Sequence, residues 1–140
     1  MASIFFFQET KMVLTERKRL KSFIDKLFKK NQKRLEQLTY VFCSDKYLLE
    51  INQKFLKHNY YTDILTFDLS SSQKAVEGEI YISVDRVREN ARTQGTTIKE
   101  EFHRVIFHGA LHLCGFKDKT EKEKSRMTAE EDKCLHLYFS

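Results

Sequence analysis

The segment His108-Gly109-Ala110-Leu111-His112-Leu113-Cys114-Gly115-Phe116-Lys117-Asp118 sets two histidines four residues apart, then a glycine, then an aspartate. The four-residue interval puts both imidazoles on one face of a helix, one turn apart. Gly115 stands where such a helix would stop, and the turn after it can bring Asp118 back toward the histidines. Two helical imidazoles and a third donor returned by a tight turn make a three-ligand metal site with an open coordination position. An open position serves chemistry. The spacing therefore predicts a metal-dependent enzyme with His108, His112 and Asp118 as its metal ligands and catalytic centre.

The helix carrying this motif is predicted to start at Thr96 or Thr97, either of which can cap it. On it, Phe102, Val105, Ile106, Gly109 and Leu113 fall near one stripe and should face the core. Arg104, His108, Leu111 and His112 fall near another and should line a cleft. Gly109 lets a neighbouring element approach closely, because it has no side chain. It also occupies the position at which His-Glu-x-x-His metallopeptidases carry a general base. A peptidase mechanism of that kind has no base here, so the metal must supply the activation itself. A zinc ion suits this role, since it lowers the pKa of bound water to about 7.

Working outward, Ile4–Phe7 reads as a first strand. Thr15 can cap a helix whose apolar stripe is Leu20, Phe23, Ile24, Leu27, Phe28 and Leu35. Gln37–Cys43 reads as a second strand, and Ser44-Asp45 opens a short helix through Leu48, Leu49, Ile51 and Phe55. Thr62–Phe67 and Gly78–Ser83 are strands flanking a polar loop at Ser70–Glu77, which favours an antiparallel pair. A helix from Asp85 to Gln94 stops at Gly95, and a final charged helix spans Glu121 to Tyr138. Strands and helices mix without strict alternation. The predicted class is α+β: a small mixed β-sheet of about four strands covered by helices, with the metal-site helix near the C-terminus.

The chain has 140 residues and no proline, linker or repeat, so residues 1–140 are expected to form one domain. Its longest apolar run, Ile4–Phe7, is too short for a membrane span or a signal-peptide core. Cys43, Cys114 and Cys134 are an odd count without paired spacing, which fits buried thiols in a reducing cytoplasm. The net charge of +5 is concentrated in residues 1–40, with ten basic and four acidic side chains there against 15 and 16 in the remainder. Such a one-sided positive field attracts polyanions such as RNA, although a solvated helix face gives the same pattern.

With these residues read, the sequence resembles the YbeY family of metal-dependent endoribonucleases. His108 through Phe116 follow the family's His-Gly-x-Leu-His-Leu-x-Gly-Tyr signature. Asn52, Phe55 and Thr62–Phe67 are similar to its Asn…Thr-Asp-Val-Leu-Ser-Phe block, Gly78–Ser83 to its Gly-Asp-Ile strand, and Met127 and Glu131 to its closing helix. The resemblance implies an α+β domain with one zinc held by three side chains. It further implies single-strand-specific cleavage of ribosomal RNA, in 3′-end processing of the small-subunit RNA and in ribosome quality control. The expected partners are then single-stranded and ribosomal RNA and the small ribosomal subunit, with no membrane.

Two positions depart from the pattern. Asp118 replaces the third histidine of many members, and a two-histidine, one-carboxylate set also suits Fe2+ or Mn2+. Leu56 stands where many members have an arginine, which leaves Lys57, His58 and Arg104 as the candidate RNA-binding residues. Glu130 and Glu131 read as surface or packing residues. Two alternatives remain open. One is a metal-dependent hydrolase of a non-RNA substrate. The other is a non-catalytic RNA- or ribosome-binding module in which the metal staples the turn after Gly115.

Overall fold

In the computed structural model, which describes residues 2–140, the elements run β1 (Ser3–Gln8), α1 (Arg17–Lys30), β2 (Arg34–Cys43), α2 (Asp45–Leu56), β3 (Ile64–Asp68), β4 (Ala75–Ser83), α3 (Val84–Gln94), α4 (Ile98–Leu113) and α5 (Glu121–Phe139). Among the described residues, the strands form one four-stranded sheet in the order β1-β2-β4-β3. β1, β2 and β4 run parallel, and β3 pairs antiparallel to β4 with Ile64 opposite Ile82 and Thr66 opposite Ile80. The predicted α+β class, mixed sheet and antiparallel pair are therefore all present.

Alternation along the strands sorts the two faces. Leu38, Tyr40 and Phe42 of β2, with Ile80 and Ile82 of β4, enter the main core. There they join Leu20, Ile24 and Phe28 of α1, Ile106, Ala110 and Leu111 of α4, and Met127 and Tyr138 of α5. A smaller cluster of Cys43, Leu48 and Leu65, backed by Ile51, Phe67 and Tyr81, seats α2 by the neighbouring strand residues. All three cysteines are buried and unpaired, as expected. No helix among the described residues is long and apolar enough to cross a membrane.

Three local expectations are corrected. Thr15 does not cap α1. The residue before the helix is Glu16, held in a left-handed conformation (φ 54°) without a side-chain cap, while Met12 and Leu14 are buried and fix how the chain enters. Leu35 belongs to β2, not to the helical stripe. The helix ends at Lys30, and Leu35 pairs with Val76 just before a bulge that re-sets the register at Gln37. Leu111 lies in the main core with Met127 of α5 and does not line the cleft, because α5 packs over that side of α4.

α4 is set against the sheet by reciprocal close approaches. A Cβ on Gly109 would come within 2.8 Å of Ile80 Cδ1 and 3.1 Å of Ile64 Cδ1, and one on Gly78 within 2.7 Å of Leu113 Cδ1. The buried Tyr40 hydroxyl donates to the Ile106 carbonyl at 2.9 Å and adds a polar tie between sheet and helix. Thr97 caps the helix by accepting the Glu100 N–H at 3.0 Å. The helix is thus held at its start, along its length and near its end, which leaves little freedom for the residues between.

Candidate metal centre

α4 ends in a Schellman turn that builds half of the site. The Phe116 N–H donates to the Leu111 carbonyl and the Gly115 N–H to the His112 carbonyl, both at 3.0 Å, with Gly115 at φ +109°. This pairing needs a left-handed residue after the helix, and glycine meets it without a Cβ penalty. The turn does two further things. It aims the Phe116 carbonyl at His112 Nδ1, 3.0 Å away, and it returns Asp118 to the histidine face.

His108 Nε2 and His112 Nε2 lie 3.0 Å apart, and Asp118 Oδ2 lies 3.4 Å from the first and 3.2 Å from the second. Each imidazole is fixed at its other nitrogen. His108 Nδ1 meets Glu131 Oε2 at 2.5 Å, and His112 Nδ1 meets the Phe116 carbonyl. A carboxylate and a carbonyl accept only, so each neutral ring carries its proton on Nδ1. Both Nε2 lone pairs then face each other and the Asp118 oxygen. With both rings neutral, three lone-pair donors converge on one point, an arrangement suited to a cation between them.

The dimensions agree. Donors held tetrahedrally about 2.0–2.1 Å from zinc lie about 3.3–3.4 Å apart, close to the observed 3.0, 3.2 and 3.4 Å. The residues present therefore fit a small divalent metal. The hydrogen bonds at Nδ1 are the outer partners that fix the orientation and tautomer of metal-binding histidines. Burial works to lower the His108 pKa, but the Glu131 hydrogen bond and charge, with Asp118 and Asp63, outweigh it and the net direction is upward.

The group opens into a cleft of about 600 Å³ lined by α4, β3, the segment before β3, and Glu131 of α5. Its lining is acidic: Asp63, Asp68, Glu101, Asp118 and Glu131 against Arg104 alone. Arg104 lines the cleft as expected, but its guanidinium donates to Glu131 at 2.8 Å and Asp132 at 2.7 Å. Lys57 and His58 are exposed on the loop just beyond Leu56, which itself lines the cleft.

Two buried acids were not legible as site residues. Glu131, read from sequence as surface or packing, is buried and joins His108 to Arg104; Glu130 pairs with Lys133 nearer the surface. The signal lies in α5, where Met127, Glu131, Cys134, Leu135 and Tyr138 form its buried stripe and a carboxylate occupies a core position. Glu101 sits two turns before His108, buried, with one oxygen unpartnered; burial is the largest cause raising its pKa.

The profile of the family described as Endoribonuclease YbeY matches residues 5–138. The chain belongs to this family. A YbeY endoribonuclease of Cytophaga hutchinsonii is 50% identical over 136 residues, covering 96% of this chain and 95% of the relative. That of Porphyromonas gingivalis is 44% identical, covering 96% and 89%. The solution structure of TM1509 from Thermotoga maritima superposes with a TM-score of 0.66 at 27% identity, covering 99% of this chain and 89% of that one. YbeY is a metalloenzyme family acting in ribosomal RNA maturation, which agrees with the donor set at the end of α4.

Proposed function

We propose that the protein is a zinc-dependent, single-strand-specific endoribonuclease that acts in the cytoplasm on the 3′ end of small-subunit ribosomal RNA and in ribosome quality control. The observation that carries this reading is the convergence of three metal-ligating atoms, His108 Nε2, His112 Nε2 and Asp118 Oδ2, in an acidic cleft. These three residues hold the metal and form the catalytic centre. When bound, a divalent ion supplies Lewis-acid chemistry for phosphodiester cleavage.

The chain's own residues do the rest. Glu131 keeps the His108 proton on Nδ1 and so presents the Nε2 lone pair; the Phe116 carbonyl does the same for His112. Arg104 holds Glu131 in place and offsets its charge. Asp63, Asp68 and Glu101 repel phosphate along the cleft, so an RNA backbone is accepted only beside the metal. Lys57 beside the cleft, with the basic α1, attracts the flanking phosphates and the small ribosomal subunit, and His58 next to it meets the RNA by hydrogen bonding or stacking. Asp118 in place of a third histidine makes the site one charge more negative and admits Fe2+ or Mn2+ as competitors of zinc.

The test is cleavage of single-stranded and duplex RNA by protein stripped with chelator and then reloaded. Reloading should restore cleavage of the single strand only, and His108→Ala should remain inactive. Equal cleavage by the wild type and His108→Ala would overturn the proposal.

A further inference from the structure

The loop between α2 and β3 presents an aromatic surface beside the cleft. Leu56 and Thr62, at its two ends, both line the cleft, so the intervening residues lie next to it. Phe55 is 60% exposed, Tyr60 56% and Tyr61 51%. Single exposed apolar residues are ordinary. Three aromatics lie within seven residues beside a proposed active site, and although Phe55 meets Phe67 edge-on, all three keep half or more of their surface exposed.

The loop is held in place. Asn52, fully buried on α2, donates to the Tyr60 carbonyl at 2.9 Å and accepts the His58 N–H on its own carbonyl at 3.2 Å. Gln53 donates to Asn59 at 2.5 Å. The rings are backed by cations and an imidazole. His58 stacks on Tyr60 with centroids 5.1 Å apart and planes 21° apart, its Nδ1 3.0 Å from the Tyr60 hydroxyl. The Arg86 guanidinium lies 4.8 Å from the Tyr61 centroid, and Lys54 5.4 Å from that of Phe55.

Fixed aromatic rings interleaved with positive charge fit unpaired nucleic-acid bases, which stack on the rings while their phosphates meet the cations. The charges favour this occupant, since the acidic cleft repels phosphate while Lys54 and Arg86, the latter also paired with Asp45, lie against the rings. We propose that Tyr60 and Tyr61, with Phe55, form a base-stacking platform that holds nucleotides flanking the scissile phosphate in single-stranded RNA. The platform rests on the endoribonuclease reading. It supplies the preference for single strands, because bases already stacked in a duplex cannot reach it.

The test uses metal-loaded full-length protein, a single-stranded RNA oligomer, and the same oligomer with abasic nucleotides flanking the cut. Tyr60→Ala with Tyr61→Ala should raise KM about 5- to 150-fold for each stacked base lost. Tyr60→Phe, which keeps the ring, should stay within about twofold of wild type on the same scale. Abasic substitution should impose the same rise on wild type and little further rise on the double variant. Metal content and melting temperature report that the variants are folded. Unchanged KM, or abasic and alanine penalties that simply add, would overturn the platform and leave these aromatics to a protein partner. Failure of the wild type to cleave any single-stranded RNA would instead remove the endoribonuclease reading beneath it.

Discussion

One helix, α4, holds histidines of two kinds. His103 lies in the core, its Nδ1 donating to the Lys99 carbonyl at 2.7 Å and its ring packed on Tyr138 and Phe139. Burial pushes its pKa down, against the pull of that hydrogen bond. His108, five residues on, is also well shielded, yet its pKa moves up because Glu131 and the other acids of the cleft outweigh burial. The difference lies in what meets each ring. His103 is surrounded by aromatic rings and its own helix. His108 and His112 are each clamped at Nδ1 by an outside acceptor and aimed, by Nε2, at a shared point with Asp118. An acceptor at Nδ1 is common to all three rings; what sets His108 and His112 apart is that their Nε2 atoms meet each other and Asp118.

The largest effect expected from this contrast is in His108→Ala. It should lower RNA cleavage by at least about 10²–10³-fold and remove the bound metal, whereas His103→Phe should leave metal content unchanged. Kinetics and metal analysis of the two purified variants provide the check. Next comes Glu131→Gln, which keeps the shape of the clamp but removes its charge and can offer an N–H to Nδ1. Metal affinity or activity should fall by about 10- to 100-fold, measured by competition with a chromogenic chelator.

The clamp also depends on where α4 lies. Gly109→Ala drives a methyl into Ile80 and Ile64 and should cost about 1–3 kcal/mol in urea unfolding, with weaker metal binding as the helix shifts. The smallest effect belongs to His103. Its folded-state pKa is below its unfolded value near 6.5, so the unfolded chain binds the extra proton first. The stability this histidine allows is therefore full above the unfolded pKa and is lost as pH falls below it. Metal-free protein should lose stability as pH falls below about 6.5, and His103→Phe should flatten that part of the profile in urea melts.

Much of this was legible in the sequence, for physical reasons that differ by region. The motif helix and its turn are governed by local rules: helical spacing, the Thr97 cap, and a glycine where the backbone turns left-handed. Gly109 is legible as a close-contact position too, since a glycine inside an apolar helix stripe has few other uses. Leu111 was misplaced because α5, distant in sequence, covers that side of α4. Thr15 failed as a cap because burial of Met12 and Leu14 sets the path into α1. Glu131 was missed because its partner is 23 residues away. Only tertiary packing shows that a carboxylate in the α5 stripe is aimed at an imidazole.

The convergence of His108, His112 and Asp118 is the geometry of a site for one divalent cation. Metal analysis of the purified wild type beside His112→Ala, at matched protein concentration, tests it most directly. About one divalent ion per chain is expected in the wild type and only traces in His112→Ala. Equal metal content in the two proteins would contradict it.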